Sequence, residues 1–311
     1  MAAALAVMGL AASCGSSGGR PDEELAGLVK PERREQPPID LDRAATDAAE
    51  LRRAAMQPHR ALAAGLGAHT FKGTSSVVVT ENGTTVRELT DETSLEYRDD
   101  GQYHALLANS KDYGREIYFL DGTLYLASRH QKFSKRAPAD EGEPARLADE
   151  IAGALAANLD LVAHAAEVSD RGVQQVAGRS ARTIVFKLAP GEQKPPTEVL
   201  PQRAWRQSIA VSALQGQISL DAETGVVLAG TLDATLGFSR DGRRFQMVVA
   251  VTHAIADIGA PRAIEPPAEE RVVVVAEHHR EAMEREDLLR GIAPPARKAP
   301  TPGDTAGTAS P

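Results

Sequence analysis

The feature that most constrains this chain is a repeated turn grammar between Phe71 and Phe133. Short alternating segments there are punctuated by Asn82-Gly83, Asp100-Gly101 and Asp121-Gly122. Such pairs supply the positive φ that tight hairpin turns need, so the block reads as an antiparallel meander. A second block, Trp205 to Ile258, repeats the pattern with Glu223-Thr224-Gly225 and Asp241-Gly242 at its turns. Val226, Leu228, Leu232, Ala234, Leu236 and Phe238 share one face of a strand, and Phe245, Met247, Val249, Val251 and Ile255 share one face of the next. Period-two alternation of this kind implies a sheet with one dry and one wet face. The apolar phase slips from Ile209 and Val211 to Leu214, Ile218 and Leu220, which predicts a bulge or hairpin near Gln215-Gly216.

Helices flank these strands. Asp40 or Asp42 can cap a helix starting near Arg43, interrupted at Pro58, with a further short helix from His59 to Leu66. The strongest helical pattern is Ala145 to Val168, where Leu147, Ile151, Leu155, Leu159, Leu161 and Val162 fall within an arc of about 160°. Strands resume at Val173 to Leu188. The Pro-rich segment Ala189 to Pro201 is too long for a tight turn and reads as a lid or an edge loop. Val272 to Val275 fits a strand or a helix equally well.

With 42% hydrophobic residues over 311 positions, the chain can bury a sizeable core, and with only 4% aromatics that core is largely aliphatic. A net charge of -8 gives no electrostatic footprint for nucleic acid.

Residues Met1 to Ser13 carry no charge and are too short to span a bilayer, which takes roughly 20 apolar residues; they suit a signal peptide. The single cysteine, Cys14, ends the run Ala11-Ala12-Ser13-Cys14, which resembles a bacterial lipobox. The alternative is a buried thiol in an N-terminal helix. Gly15-Ser16-Ser17-Gly18-Gly19 follows at once and favours a flexible tether instead. Acyl chains on Cys14 would anchor the protein at about 0.8 kcal/mol per buried methylene.

No catalytic constellation stands out, so a non-enzymatic role without cofactor or metal is expected. Gly15 to Gly19 matches Gly-x-Ser-x-Gly, but a nucleophile elbow needs a strand-to-helix turn rather than a tether. His278, His279, Glu281 and Glu284 could share a helix face, which reads as a solvated, charge-laced surface. His253 falls on the apolar face of its strand and is expected to hydrogen-bond inside the fold. Trp205 opens the second meander as a packing residue.

Two segments carry a family resemblance. Val176-Ala177-Gly178-Arg179 precedes the strand Thr183 to Phe186, and Gln217-Ile218-Ser219-Leu220-Asp221-Ala222-Glu223-Thr224-Gly225 ends a strand in Asp before a Thr-Gly turn. With the order lipobox, spacer, helix, meander, helix, meander, the chain resembles the LolA/LolB superfamily of bacterial envelope proteins and the related lipid-binding lipoproteins of the LppX and LprG kind. The resemblance implies an α+β fold, an incomplete antiparallel barrel wrapped around helices, with a cavity that accepts acyl chains. The organisation that follows is a signal peptide over residues 1–13, a lipidated tether over 14–39, the half-barrel over 40–268, a helical extension over 269–292 and a disordered tail over 293–311. Leu228, Leu232, Leu236, Phe238, Val249, Val251 and Ile255 would line the cavity. Expected partners are a lipid or lipoprotein acyl chains, the membrane through Cys14, and an envelope protein, at the periplasmic face of the outer membrane. The rival reading is an assembly lipoprotein whose barrel is filled by its own helices.

Overall fold

The computed structural model describes residues 38–195, 198, 201–260 and 263–274. Cys14, the expected tether up to residue 37, the histidines at 278 and 279, and the expected C-terminal tail lie outside them.

The turn grammar yields the strands it predicts. The first meander comprises β1 (His69–Glu81), β2 (Thr84–Tyr97), β3 (Tyr103–Asn109), β4 (Gly114–Leu120), β5 (Thr123–Ser128) and β6 (Phe133–Arg136). The second block comprises β9 (Ala210–Asp221), β10 (Val227–Arg240) and β11 (Arg243–Ala256), and ahead of it, where strand is expected over 173–188, lie β7 (Ala166–Val176) and β8 (Arg179–Leu188), which extend this half of the sheet. Asn82-Gly83, Asp121-Gly122 and Asp241-Gly242 all have positive φ at both positions, as two-residue turns matched to the strand twist require.

The two meanders join at their long central strands. β1 pairs antiparallel with β11, from Thr70 opposite Ala256 to Glu81 opposite Phe245, so residues far apart in sequence form the middle of one sheet. With β12 (Val272–Val274), the described sheet has twelve strands in the order β12-β6-β5-β4-β3-β2-β1-β11-β10-β9-β8-β7. The ambiguous valine run becomes β12 (Val272–Val274), the parallel exception in an antiparallel sheet, paired with β6. Residues 269–271, placed by the sequence in a helical extension, form a 3₁₀ turn leading into that strand. Edge strands β12 and β7 do not pair with each other, so the sheet is not closed into a barrel. Burial alternates without a fault along β11, from Phe245 inward to Val248 outward and on to Ile255, leaving one face covered and the other wet.

Three sequence expectations need correction. The slip in β9 is a bulge at Ser212, where Thr235 faces Ala213 while Leu236 faces Val211; Gln215 and Gly216 stay in register. Trp205 belongs to a 3₁₀ segment, Pro201–Ser208, where its ring tilts against Phe238. Finally, the long amphipathic helix is two helices, α4 (Glu143–Ala152) and α5 (Ala154–Val162), and residues 166–168 already belong to β7. The division falls at Gly153, where a Cβ would sit 2.7 Å from the Asp149 carbonyl. It lets α4 lie on β1 to β3 while α5 lies on β1, β10 and β11.

Ahead of the sheet come α1 (Leu41–Ala44), α2 (Ala48–Ala55) and α3 (His59–Leu66). Asp40 caps α1 and a second aspartate, Asp47, caps α2, which is why the first helical pattern splits before Pro58. Close seating of the helix layer depends on Gly230 in β10, because a Cβ there would stand 2.5 Å from Leu155 Cδ2 of α5.

Candidate functional site

The seven residues expected to line a cavity are all buried. Leu228, Leu232 and Leu236 are 0% exposed, and Phe238, Val249, Val251 and Ile255 are at most 5%. They lie on the inner sheet face, where α5 packs against β10 and β11. None of them lines either of two cavities formed among the described residues beneath the helices. Leu232→Ala should therefore cost about 3 kcal/mol through lost burial and a new void, read as a shift in the urea midpoint. Leu232→Asp should prevent folding by burying an unpaired carboxylate, which disqualifies it as a probe of ligand uptake.

The first cavity, of about 220 Å³, lies between the end of α2, α3, the α4–α5 junction and the sheet; Met56, Pro58, Leu62, Leu155, Val227 and His253 are among its walls. The second, of about 200 Å³, is bounded by Arg60, Tyr97, Tyr103, Phe119, Pro144 and Ala148. His59 of α3 lines both.

A histidine group is built around His59. His59 Nε2 is 3.1 Å from His69 Nε2, and His69 Nδ1 is 2.7 Å from the Gly67 carbonyl. A carbonyl only accepts, so we assign the His69 proton to Nδ1, and His59 Nε2–H donates to His69 Nε2. Burial, then the neighbouring His69 and His253, pushes His59 down to about 3. Burial also lowers His69, opposed by its bond to Gly67. The His69 ring stacks on Tyr97 at 5.4 Å, and Tyr97 stacks on Tyr103 at 6.3 Å. The Tyr103 hydroxyl donates to the Pro144 carbonyl at 2.8 Å, tying β3 to the start of α4.

His253 sits where its strand phase places it, 7% exposed, with its ring 4.9 Å from Phe71. The expected internal hydrogen bond is missing, since neither ring nitrogen has a partner. Burial pushes it down to about 4; the Val227 backbone opposes that shift without making a properly formed hydrogen bond. Asp149 of α4 accepts a hydrogen bond from the His59 backbone N–H, capping α3, whose own N-cap is Pro58. Burial raises the Asp149 carboxyl, with that bond and Arg60 acting the other way.

This arrangement can bind: it offers largely apolar walls with a few hydrogen-bonding groups, Asp149 in the first cavity and Arg60 and Glu141 in the second among them. Among the described residues no group of three or more His, Cys, Asp or Glu side chains is arranged to hold a metal ion, and no helix is long and apolar enough to cross a membrane. His253 was legible as an inward residue by its phase. His59 and His69 were not singled out, although His69 lies in phase with Phe71 of the same strand.

No family model and no curated protein matches the chain. Among solved structures it is similar to a LolA superfamily protein from Nitrosomonas europaea, at 6% identity and a TM-score of 0.22, covering 64% of this chain and 88% of that one. It is also similar to a putative outer membrane lipoprotein-sorting protein domain from Vibrio parahaemolyticus, at 7% identity and a TM-score of 0.18, covering 70% and 92%. A third is MucB from its complex with MucA of Pseudomonas aeruginosa, at 18% identity and a TM-score of 0.24, covering 73% of this chain and 62% of that one. The LolA superfamily is thus represented among the structures the chain resembles. At these scores the functional reading rests on the chain's own geometry.

Proposed function

We propose that this chain is a binding protein of the bacterial envelope, lipidated at Cys14, which takes an acyl chain between its helix layer and the inner face of the sheet. The observation that carries this reading is the pair of cavities, about 220 and 200 Å³, both lined in part by His59. In this reading the sheet is an incomplete barrel curled around α3 to α5. One core cluster that includes Leu124 of β5, Leu62 of α3, Ile151 of α4 and Ala181 of β8 supports the curl. Each cavity alone is smaller than the roughly 300–1,000 Å³ of a drug-sized ligand. A longer chain needs the two cavities to merge past His59, which lines both. The role is binding, not catalysis.

The test is native mass spectrometry and organic extraction of the chain from residue 15 onward, purified from a bacterial periplasm without detergent. A stoichiometric adduct that extracts as lipid is expected. A bare polypeptide mass from a folded sample would overturn the reading. The full chain with Cys14→Ala should leave the membrane fraction, whereas the parent chain should stay in it.

The complete burial of the seven inner-face residues favours a second reading, an assembly protein whose sheet is filled by its own helices and which recognises a protein partner. A bare mass together with specific capture of one envelope protein would establish it.

A further inference from the structure

We propose that the second cavity is a binding site for a free aromatic amino acid, its ring held against Tyr97, Tyr103 and Phe119 and its carboxylate and ammonium met at the mouth by Arg60 and Glu141. This goes beyond the acyl-chain reading, because it concerns the second cavity alone and needs no merging with the first.

Size and wall chemistry select the ring. The cavity holds about 200 Å³. That exceeds the roughly 150 Å³ in which an apolar protein interior takes benzene, and falls short of the roughly 300–1,000 Å³ of a drug-sized ligand. One wall is an aromatic ladder: Tyr97 lies nearly parallel to Tyr103 at 6.3 Å, and Tyr103 is tilted against Phe119 at 5.9 Å. Against it α4 contributes Pro144, Ala145 and Ala148, whose small side chains leave room for a ring. Aromatic rings gain from one another beyond the area they bury, which favours a flat ring over an aliphatic group of the same size. The Tyr97 hydroxyl is within reach of such a ligand. Among the described residues it makes no hydrogen bond, yet it is not sealed from solvent. A Cβ on Gly101, another wall residue, would stand 3.7 Å from it, so glycine keeps that approach open. Burial, then Asp100, raises the hydroxyl's pKa, and it remains a protonated donor at neutral pH.

Charge at the mouth then selects the zwitterion. Arg60 and Glu141 are exposed residues of opposite sign on the cavity wall. Among the described residues neither side chain forms a hydrogen bond or an ion pair; Arg60 acts on the Asp149 carboxyl only through its charge. The acids beside Glu141 are engaged already, Asp140 by Arg146 and Glu143 by Arg136. A ligand with a carboxylate alone would gain Arg60 but face Glu141, and one with an ammonium alone would meet the reverse. A ligand with both groups gains from both residues, and its carboxylate can also accept from the Tyr97 hydroxyl.

The experiment titrates the full chain, carrying ¹³C-labelled tyrosine, with L-phenylalanine, L-cyclohexylalanine, 3-phenylpropanoate, phenethylamine and N-acetylphenylalanine amide at pH 7.5. Of the five tyrosines, Tyr97 and Tyr103 line the cavity, so their ring signals should move while the other three stay. Phenylalanine should bind about threefold or more tightly than its saturated counterpart, and about tenfold more tightly than either singly charged analogue. Glu141→Gln should bring phenylpropanoate level with phenylalanine, and Arg60→Gln should do the same for phenethylamine. Ala145→Leu, a helix-compatible filling of the wall, should abolish binding of every probe. Absence of phenylalanine binding, equal affinity for the saturated ring, or a charge preference unchanged in both Gln variants overturns the proposal. Tighter binding of the capped amide than of phenylalanine overturns the free ligand in favour of a ring inserted by a protein partner. None of these results bears on the lipid adduct by which the acyl-chain reading is judged, so either can fail alone.

Discussion

The protein is expected to lose stability steeply between pH 6.5 and pH 4.5, before its carboxylates titrate. His59 is pushed down to about 3 and His253 to about 4, in both cases chiefly by burial. A histidine released on unfolding takes up its proton near pH 6.5, while the buried ring does not. The unfolded state therefore binds more protons throughout this window, and stability falls as pH falls. The contribution is fully present above pH 6.5 and is lost towards the folded values of about 3 and 4. At 1.36 kcal/mol per pH unit, each ring costs roughly 2 to 3 kcal/mol by pH 4.5, a large share of a typical 5–15 kcal/mol domain. His69 and His164 shift in the same direction. Asp149 and Asp91, raised by burial, act oppositely, since they favour the native state as they protonate. Their effect opposes that of the histidines. Urea denaturation at pH 7.0 and pH 4.5 reads the difference directly. A profile flat to within 1 kcal/mol would mean that the rings are hydrated. His253→Gln should flatten the slope by about half.

The strands were legible because their turns and their alternation agree. Asn-Gly and Asp-Gly pairs fix where β1 turns into β2 and β10 into β11, and each strand's apolar phase fixes its inner face, so Leu232 and Val251 could be placed indoors from the sequence. The hairpin joining β7 to β8 was missed because it turns on Ala177-Gly178. Both residues have positive φ there, but alanine is a poor indicator of that conformation. The single helix expected over 145–168 was overextended for a different reason. Alanines and leucines continue the helical period through Gly153, and only tertiary packing reveals that the two halves need different directions on the sheet. Burial was readable; emptiness was not. The inner-face residues were expected to line a cavity because period-two patterning cannot distinguish a side chain facing space from one facing α5. The histidine group was hidden because His59, His69 and His253 come from three elements, the first two meeting across the α3–β1 turn and the third brought beside them by the pairing of β1 with β11.

The two segments that carried the family resemblance prove to be one structural device, and breaking it should be the most damaging single change outside the hydrophobic core. Arg179, just after the β7–β8 turn, donates from Nε and Nη2 to Asp221 at 2.7 and 2.9 Å, and from Nη2 to Glu223 at 3.0 Å. Asp221 is 1% exposed and also accepts from the Thr224 backbone N–H at 2.9 Å and its hydroxyl at 2.6 Å, closing the β9–β10 turn. Burial pushes the Asp221 carboxyl up, but the Arg179 and Thr224 hydrogen bonds outweigh it and hold it below the usual value. Removing Arg179 leaves that carboxylate buried without its counter-charge, for which losses of about 3–5 kcal/mol are typical. Arg179→Ala should thus cost about 4 kcal/mol at pH 7, whereas Glu223→Ala, whose side chain is largely exposed, should cost less than about 1 kcal/mol. Asp221→Asn keeps the Thr224 contacts and should fall between them. The sign of the pH dependence is opposite in window, though not in direction, to that of the histidines. The Asp221 contribution is present above the unfolded carboxyl value near 3.9 and disappears only as pH drops below it. Chemical denaturation of the three variants at pH 7 and pH 3 separates these terms. If Arg179→Ala unfolds with the same midpoint as the parent at pH 7, the pair is water-exposed in solution and the two turns are held by their backbone alone.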